Sequence, residues 1–218
     1  MSKIIIATNP GDDPVTKHLS YWVQEIKSYV ATIDDVEIHL LEDEDVTRDN
    51  FVAIIEEKNP ILVLVNGHGT YETMLGYDRA VLVASNHNLD MLSDRIIHSL
   101  SCSSGKDLGP KLIEVGSKAF IGYIESFQLY RLKDDPIIEG EDEISSLFLK
   151  PAFDAIKALC DGDTTSMAHQ KSQRSFRENF LKVITTPSIS DGDKQLLGSA
   201  LPHDWKHQVL LGDHGVTI

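Results

Sequence analysis

The chain has 218 residues, 41% of them hydrophobic, and a formal net charge of −14 at pH 7. That apolar content is enough for a sizeable core, and no apolar stretch reaches the roughly 20 residues that cross a bilayer, so no membrane contact is expected. The negative charge, without a basic cluster, argues against a nucleic-acid partner. The first residues lack the apolar region and cleavage site of a signal peptide, which predicts a cytoplasmic protein.

Short apolar runs alternate with amphipathic segments along the whole chain. The first strand is predicted over 3–8, followed by a helix that begins at Pro14 with Asp13 as its N-cap. The later predicted strands are residues 36–41, 61–66, 80–84, 95–102, 118–123 and 207–213. The later predicted helices include one that ends before 59–60, one over 106–116, one ending near 159 and one over about 164–184. This alternation predicts an α/β fold, a three-layer αβα sandwich around a parallel-dominated sheet, in a single domain over 1–218.

Three local features qualify this outline. Pro151 is expected to kink or split the helix that ends near residue 159. Residues 133–143 are rich in acids and are the most plausible flexible or cleavable point, although a solvated surface loop is the simpler interpretation. His203 and His207 have the spacing of metal ligands on a helix, but no third ligand is evident and a long helix is not expected there. The Asp-Gly triplets at 161–163 and 191–193 do not fit a calcium loop, so we expect no metal and no cofactor.

Two of the apolar runs end in a reactive side chain beside glycine. The run 61–66 leads to His68, between Gly67 and Gly69, and the run 95–102 ends at Cys102. Ligands of open α/β sheets bind at the carboxyl ends of the strands, so the two side chains converge over one cleft if their strands are neighbours. An imidazole there accepts the thiol proton or raises the thiolate fraction, and the backbone N–H groups of Gly69 and Cys102 are placed to hold an oxyanion.

Each of these residues also has a simpler explanation. A lone cysteine is often a small buried apolar residue, and a histidine at a strand end is often only hydrogen-bonded there. The chain has two cysteines, too few for a disulfide framework, and Cys160 is expected to be structural. His98, four residues before Cys102, is expected to be a core histidine bonded to the backbone.

The stretches "LVLVNGHGT" and "IIHSLSCSSGKDLGPKLIEVGSKAFIGY" together resemble the paired signature of caspase-fold (clan CD) cysteine peptidases. The nearest branches are the gingipain-like and CHAT proteins. The ending "QVLLGDHGVTI" resembles that of gingipain-like domains, with His214 in place of the usual proline. The resemblance implies a caspase-like fold, His68 as general base or thiolate partner, Cys102 as nucleophile and Gly69 as an oxyanion contributor.

The resemblance leaves the substrate preference open. Relatives specific for arginine or lysine place an aspartate two residues before the cysteine, and here that position is Leu100. Asp12, Asp13 and Glu125 lie at other predicted strand ends and are candidates for lining a substrate pocket, although surface or capping roles are the simpler explanation.

The sequence therefore predicts a cysteine endopeptidase that acts on protein or peptide substrates through a Cys-His dyad. A regulatory protein partner, self-cleavage or oligomerisation is expected to switch it on. Two alternatives stay open. One is a catalytically inactive caspase-fold interaction module, and the other is a flavodoxin-like domain that binds a small ligand at the same sheet edge.

Overall fold

The structure is a computed structural model that describes residues 2–87, 89–130 and 143–218. In chain order its strands are β1 (Lys3–Asn9), β2 (Val36–Glu42), β3 (Leu62–Val65), β4 (Thr73–Leu75), β5 (Val81–Ala84), β6 (Ile96–Ser99), β7 (Ala119–Tyr123) and β8 (Gln208–Gly212). Its α-helices are α1 (Pro14–Val30), α2 (Arg48–Lys58), α3 (Leu108–Glu114), α4 (Glu143–Cys160), α5 (Thr165–Thr185) and α6 (Asp191–His207). The acidic loop predicted over 133–143 lies outside the described residues, apart from Glu143, which begins α4.

Within the described residues, six strands form one sheet in the order β2-β1-β3-β6-β7-β8. The first five pair in parallel, and β8 is antiparallel to β7 at the edge. The strands β4 and β5 form a separate antiparallel hairpin, which contains the strand predicted over 80–84. The prediction of a parallel-dominated sheet is confirmed.

Helices cover both faces of this sheet, because successive residues of each strand point to opposite sides and both sides are apolar. The first face packs on α2 and α3, through a core that includes Val63, Ile97, Phe120, Phe51, Ile55, Leu108 and Leu112. The second face packs on α1, α4 and α5, through a core that includes Leu62, Leu64, Ile96, Ile121, Ile26, Ile156 and Ala168. The predicted three-layer αβα architecture is therefore confirmed.

The start of α1 follows the sequence prediction. The Asp13 carboxylate accepts hydrogen bonds from the backbone N–H groups of Val15 and Thr16, and the Thr16 hydroxyl accepts from the Asp13 backbone. Pro14 occupies the first helical position, where its missing N–H has no helical partner to lose. This capping box fixes where the chain turns from β1 into α1.

Two helices differ from the prediction. The helix α4 is not split at Pro151, because Leu149, Pro151 and Ala152 are buried and tertiary packing outweighs the lost hydrogen bond. The helix α6 has 17 residues, where only a short segment was expected. Leu197, Ala200 and Leu201 are buried at helical spacing, and this packing stabilises α6 despite its glycine and proline residues. No helix in the described part of the chain is long and apolar enough to cross a membrane.

Candidate active site

The carboxyl ends of β1, β3 and β6 lie side by side in the sheet, and the candidate residues follow them. Val65 at the end of β3 pairs with Ser99 at the end of β6. His68 and Cys102 each lie three residues beyond that pair, at matching positions in the connections that follow two neighbouring parallel strands. Asp13 follows β1 on the other side of β3, where the strand order reverses and open α/β sheets bind their ligands.

Cys102 lies in a turn, and not at the end of a strand as predicted, because β6 stops at Ser99. The Ser99 hydroxyl accepts a hydrogen bond from the Ser101 N–H and contacts the Ser104 hydroxyl. These bonds curl the chain back, and Ser103 takes a left-handed backbone conformation with φ of 60°. The turn is tied to the end of β7 by the Gly105 N–H, which donates to the Tyr123 carbonyl.

Glycine is required on both sides of His68. Gly67 has φ of +148°, and a Cβ there would lie 2.6 Å from the Leu75 carbonyl oxygen. A Cβ on Gly69 would lie 2.7 Å from the Ser101 Cβ and 2.9 Å from the Cys102 carbonyl oxygen. The His68 loop and the Cys102 turn are therefore in direct contact.

The Gly69 N–H makes neither of the two hydrogen bonds of the β-bridge in which Gly69 lies. Gly69 lies opposite Met74 in an isolated antiparallel bridge. The hydrogen bonds of that bridge run from the Leu75 N–H to the His68 carbonyl and from the Thr70 N–H to the Thr73 carbonyl. Gly69 lies next to the Cys102 turn, and its role as an oxyanion donor remains a prediction.

Thr8 and Asn66 fasten the ends of β1 and β3 together, and the sequence analysis missed them. Both are buried. The Thr8 hydroxyl donates to the Asn66 carbonyl and accepts from the Asn66 N–H, and the Asn66 side-chain amide donates to the Thr8 carbonyl, each at 2.9 Å. The sequence signal for this contact was Asn66, a polar residue directly after the apolar strand β3.

The ring of His68 is held by Asp13. Its Nε2 lies 2.5 Å from the Asp13 Oδ2, and the two side chains are 20% and 30% exposed. Burial raises the pKa of Asp13, but hydrogen bonds from the Thr16 backbone and the His68 ring, together with the His68 charge, lower it overall to about 2. An ionised Asp13 accepts a hydrogen bond from a protonated Nε2. A neutral His68 ring then has its lone pair on Nδ1, which can act as a base.

The Cys102 thiol is partly buried and its environment favours the protonated form. Burial raises the pKa of the Cys102 thiol, and the charge of Asp204 raises it further, while the Phe127 backbone N–H lowers it. This direction is opposite to that of an activated cysteine. In this arrangement the surroundings of Cys102 therefore favour the thiol over the thiolate.

Asp204 is a third residue that the sequence analysis missed. It lies in the last turn of α6 with no exposed surface, and its Oδ1 accepts a hydrogen bond of 2.8 Å from the Gln128 N–H. Burial raises its pKa to about 8, against the effect of that bond. Asp204 lies at helical spacing from Leu197, Ala200 and Leu201. This pattern was not recognised because α6 was not predicted.

The three proposed substrate-binding acids have different surroundings. The Asp12 carboxylate accepts from the Thr16 hydroxyl and from the Asp78 N–H. Asp13 is engaged with its helix and with His68. Glu125 is partly buried in the segment after β7, and its carbonyl accepts from the Ser103 N–H beside Cys102. Their roles in substrate binding remain predictions.

His98 and Cys160 belong to the core and not to the candidate site. His98 is a core residue as predicted, but neither ring nitrogen has a hydrogen-bond partner within the described residues, so the predicted backbone bond is wrong. Cys160 is buried in the second core, which raises its pKa to about 12. The rings of His203 and His207 contact each other on α6, and across residues 2–87, 89–130 and 143–218 no group of three or more potential ligands is placed to hold a metal.

Comparison with known proteins gives a structural match without a sequence match. No protein-family profile and no curated protein matches the chain. The complex of the pro- and mature domains of RgpB from Porphyromonas gingivalis is similar over 100% of this chain and 48% of that one, with a TM-score of 0.62 and 11% identity. A secreted cysteine protease from Bacteroides thetaiotaomicron, in complex with an irreversible peptide inhibitor, is similar over 58% of this chain and 49% of that one, with a TM-score of 0.42 and 11% identity.

The first similarity defines the fold. RgpB is a gingipain with the caspase-like fold of clan CD, and the chain shares that fold from its first strand to its last. The caspase-like fold that the sequence resemblance implied is confirmed. The chain spans about half the length of each of these two proteins.

Proposed function

We propose that the protein is a cysteine endopeptidase in which Cys102 and His68 form the catalytic dyad. One observation carries the proposal: His68 and Cys102 occupy matching positions beyond paired residues of neighbouring strands, with Gly69 packed against the Cys102 turn. Asp13 adds support, because its bond to Nε2 orients the ring for proton transfer at Nδ1.

In the proposed reaction the thiol proton passes to His68 Nδ1 as Sγ bonds to the carbonyl carbon of the peptide. The N–H groups of Gly69 and Cys102 hold the oxyanion, and the imidazolium then protonates the leaving amine as the C–N bond breaks. Water hydrolyses the thioester and returns the proton to the thiol. Asp13 stabilises the imidazolium and keeps its tautomer fixed.

The raised pKa of Cys102 fits this general-base route, in which the thiol keeps its proton until His68 removes it during the attack. Regulation by a partner protein, self-cleavage or oligomerisation remains a prediction from the sequence. Leu100 is buried and apolar, so it does not indicate which residue is preferred on the amino side of the cleaved bond. A cytoplasmic location remains a prediction from the sequence.

The test is cleavage of a peptide library by the purified protein, with and without candidate partners, together with labelling by a peptide-based electrophile. Cys102→Ala is expected to abolish labelling and to lower kcat/KM by at least about 10³-fold, and His68→Ala by at least about 10²-fold. Cys160→Ala is the matched control, because it removes the other, buried thiol. Cleavage that survives Cys102→Ala would refute the proposal.

A further inference from the structure

The segment that follows β7, residues 124–128, lies against the Cys102 turn. Its Glu125 carbonyl accepts a hydrogen bond of 3.1 Å from the Ser103 N–H, and the Phe127 N–H contacts the Cys102 sulfur. The Phe127 ring packs on the Tyr123 ring with centroids 4.8 Å apart. The 124–128 segment is therefore one wall of the candidate site and one of the elements that bury the thiol.

The last turn of α6 holds this segment at alternate residues. The His207 carbonyl accepts from the Ile124 N–H at 2.9 Å, and the His203 ring donates to the Ser126 carbonyl at 3.0 Å. The Asp204 Oδ1 accepts from the Gln128 N–H at 2.8 Å. The position of the segment over Cys102 is thus set by a helix far along the chain.

Asp204 is the unusual member of this set. It is fully buried, and its Oδ2 has no hydrogen-bond partner in the described part of the chain. A buried acid that served only as a helix residue would be expected to satisfy both oxygens. Its charge acts on two neighbours, since it raises the pKa of both Cys102 and Tyr123.

We propose that Asp204 is a positioning residue of the candidate site: it holds the 124–128 segment over Cys102, limits access to the thiol, and opposes the thiolate when it ionises itself. The proposal rests on the proposed role of Cys102 as the nucleophile. Activation then means drawing the 124–128 segment away from the Cys102 turn.

The ionisable groups around Asp204 come from several elements. Cys102 comes from the turn after β6 and Tyr123 from the end of β7. His203 and His207 are on α6 itself, and Arg177 of α5 stacks on the adjacent Trp205. Because burial raises the pKa of Asp204 to about 8, the acid is mostly protonated at pH 7. At that pH it acts by holding the segment, and its charge acts only above about pH 8.

The test is the pH profile of iodoacetamide alkylation in a Cys160→Ala background, where Cys102 is the one remaining cysteine. Asp204→Asn keeps an oxygen that accepts from the Gln128 N–H, so its profile should match the background near pH 7 and move to lower pH above about pH 8, by at least about half a unit. Asp204→Ala removes the acceptor as well and should label several-fold faster at pH 7. Asp191→Asn and Asp191→Ala, at the exposed start of the same helix, are the matched controls.

Two results would overturn the proposal: an Asp204→Ala labelling rate equal to that of its control, or an Asp204→Asn profile that superimposes on the background at every pH. If Asp204→Ala does not fold, Gln128→Pro provides the test, because it removes the N–H that donates to Asp204 and leaves Asp204 in place. It should then label faster at pH 7, and labelling at the background rate would refute the holding role. Alkylation needs no peptide cleavage, so these results stand apart from the peptidase assay.

Discussion

The Asp13 carboxylate and the His68 ring are joined by a contact of 2.5 Å between Oδ2 and Nε2, although 55 residues separate them in sequence. The contact exists because β1 and β3 are neighbours at the reversal of strand order, so that the N-cap residue of α1, which follows β1, meets the loop that follows β3. One carboxylate thereby serves both as the cap of α1 and as the orienting partner of the candidate base.

Asp13→Asn should lower peptidase activity by at least about tenfold while leaving the fold intact. Asparagine caps helices as well as aspartate does, so α1 keeps its N-cap, but the amide no longer stabilises an imidazolium. The measurements are kcat/KM and thermal unfolding of the same preparations. Asp49→Asn, an exposed acid in the first turn of α2, is the control for loss of one charge. Equal activity in the two variants would contradict the role of Asp13.

Gly69→Ala should separate the His68 loop from the Cys102 turn. The added Cβ would meet the Ser101 Cβ at 2.7 Å and the Cys102 carbonyl at 2.9 Å, so backbone atoms must shift. We expect a loss of about 1–3 kcal/mol in the free energy of unfolding and at least about a tenfold loss of activity. Gly192→Ala, which meets nothing closer than 3.8 Å, is the matched control and should be neutral or slightly stabilising. The two variants are compared by denaturant unfolding and by kcat/KM.

Asp204→Asn should stabilise the protein increasingly as the pH rises. Burial raises the pKa of Asp204 to about 8 in the folded protein, against an ordinary value of 3.8. The folded state therefore keeps a proton that the unfolded state has lost, and the stability tied to that proton disappears as the pH rises from about 4 to 8. Melting temperatures measured between pH 5 and pH 9 should show a gap between variant and wild type that widens up to about pH 8 and then levels off. A gap that does not change with pH would show that the carboxyl ionises normally.

His98→Leu should behave in the opposite direction. Burial lowers the pKa of His98 to about 4, so the unfolded chain binds a proton between about pH 6.5 and 4 that the folded protein does not. Wild-type stability is therefore lost as the pH falls through that range, and the variant escapes this loss. The variant also removes two buried ring nitrogens without partners. Thermal unfolding should show a larger advantage for the variant at pH 5 than at pH 7.5, and a larger advantage at pH 7.5 would refute this explanation.

Much of the sheet could be predicted because its strands are short, β-branched and bounded by turn residues. The cap at Asp13 and the glycines around His68 were visible for the same reason, since each is a local requirement of the chain. The end of β6 could not be predicted, because the bonds of the Ser99 hydroxyl compete with the strand and the apolar pattern does not record them.

The parts of the candidate site that come from distant segments were hidden in the sequence. His68 and Cys102 carry a motif, but the partnership of Asp13 with His68 depends on strand order, and that of Asp204 with Gln128 depends on α6. The sequence around Asp204 contains Gly198 and Pro202, which weaken a helix prediction. The helix α6 forms because Leu197 and Leu201 pack in the core, and this tertiary packing cannot be predicted from the local sequence.

The hydrogen bonds between Thr8 and Asn66 join β1 to β3 on the side of the candidate site that carries His68 and Asp13. His68 and Asp13 follow these two strands directly. This side of the candidate site can therefore open only if β1 and β3 separate. Under the proposed function, a polypeptide substrate would therefore enter on the side of residues 124–128. Under the same proposal, an activator that changes the shape of the site would act on this segment.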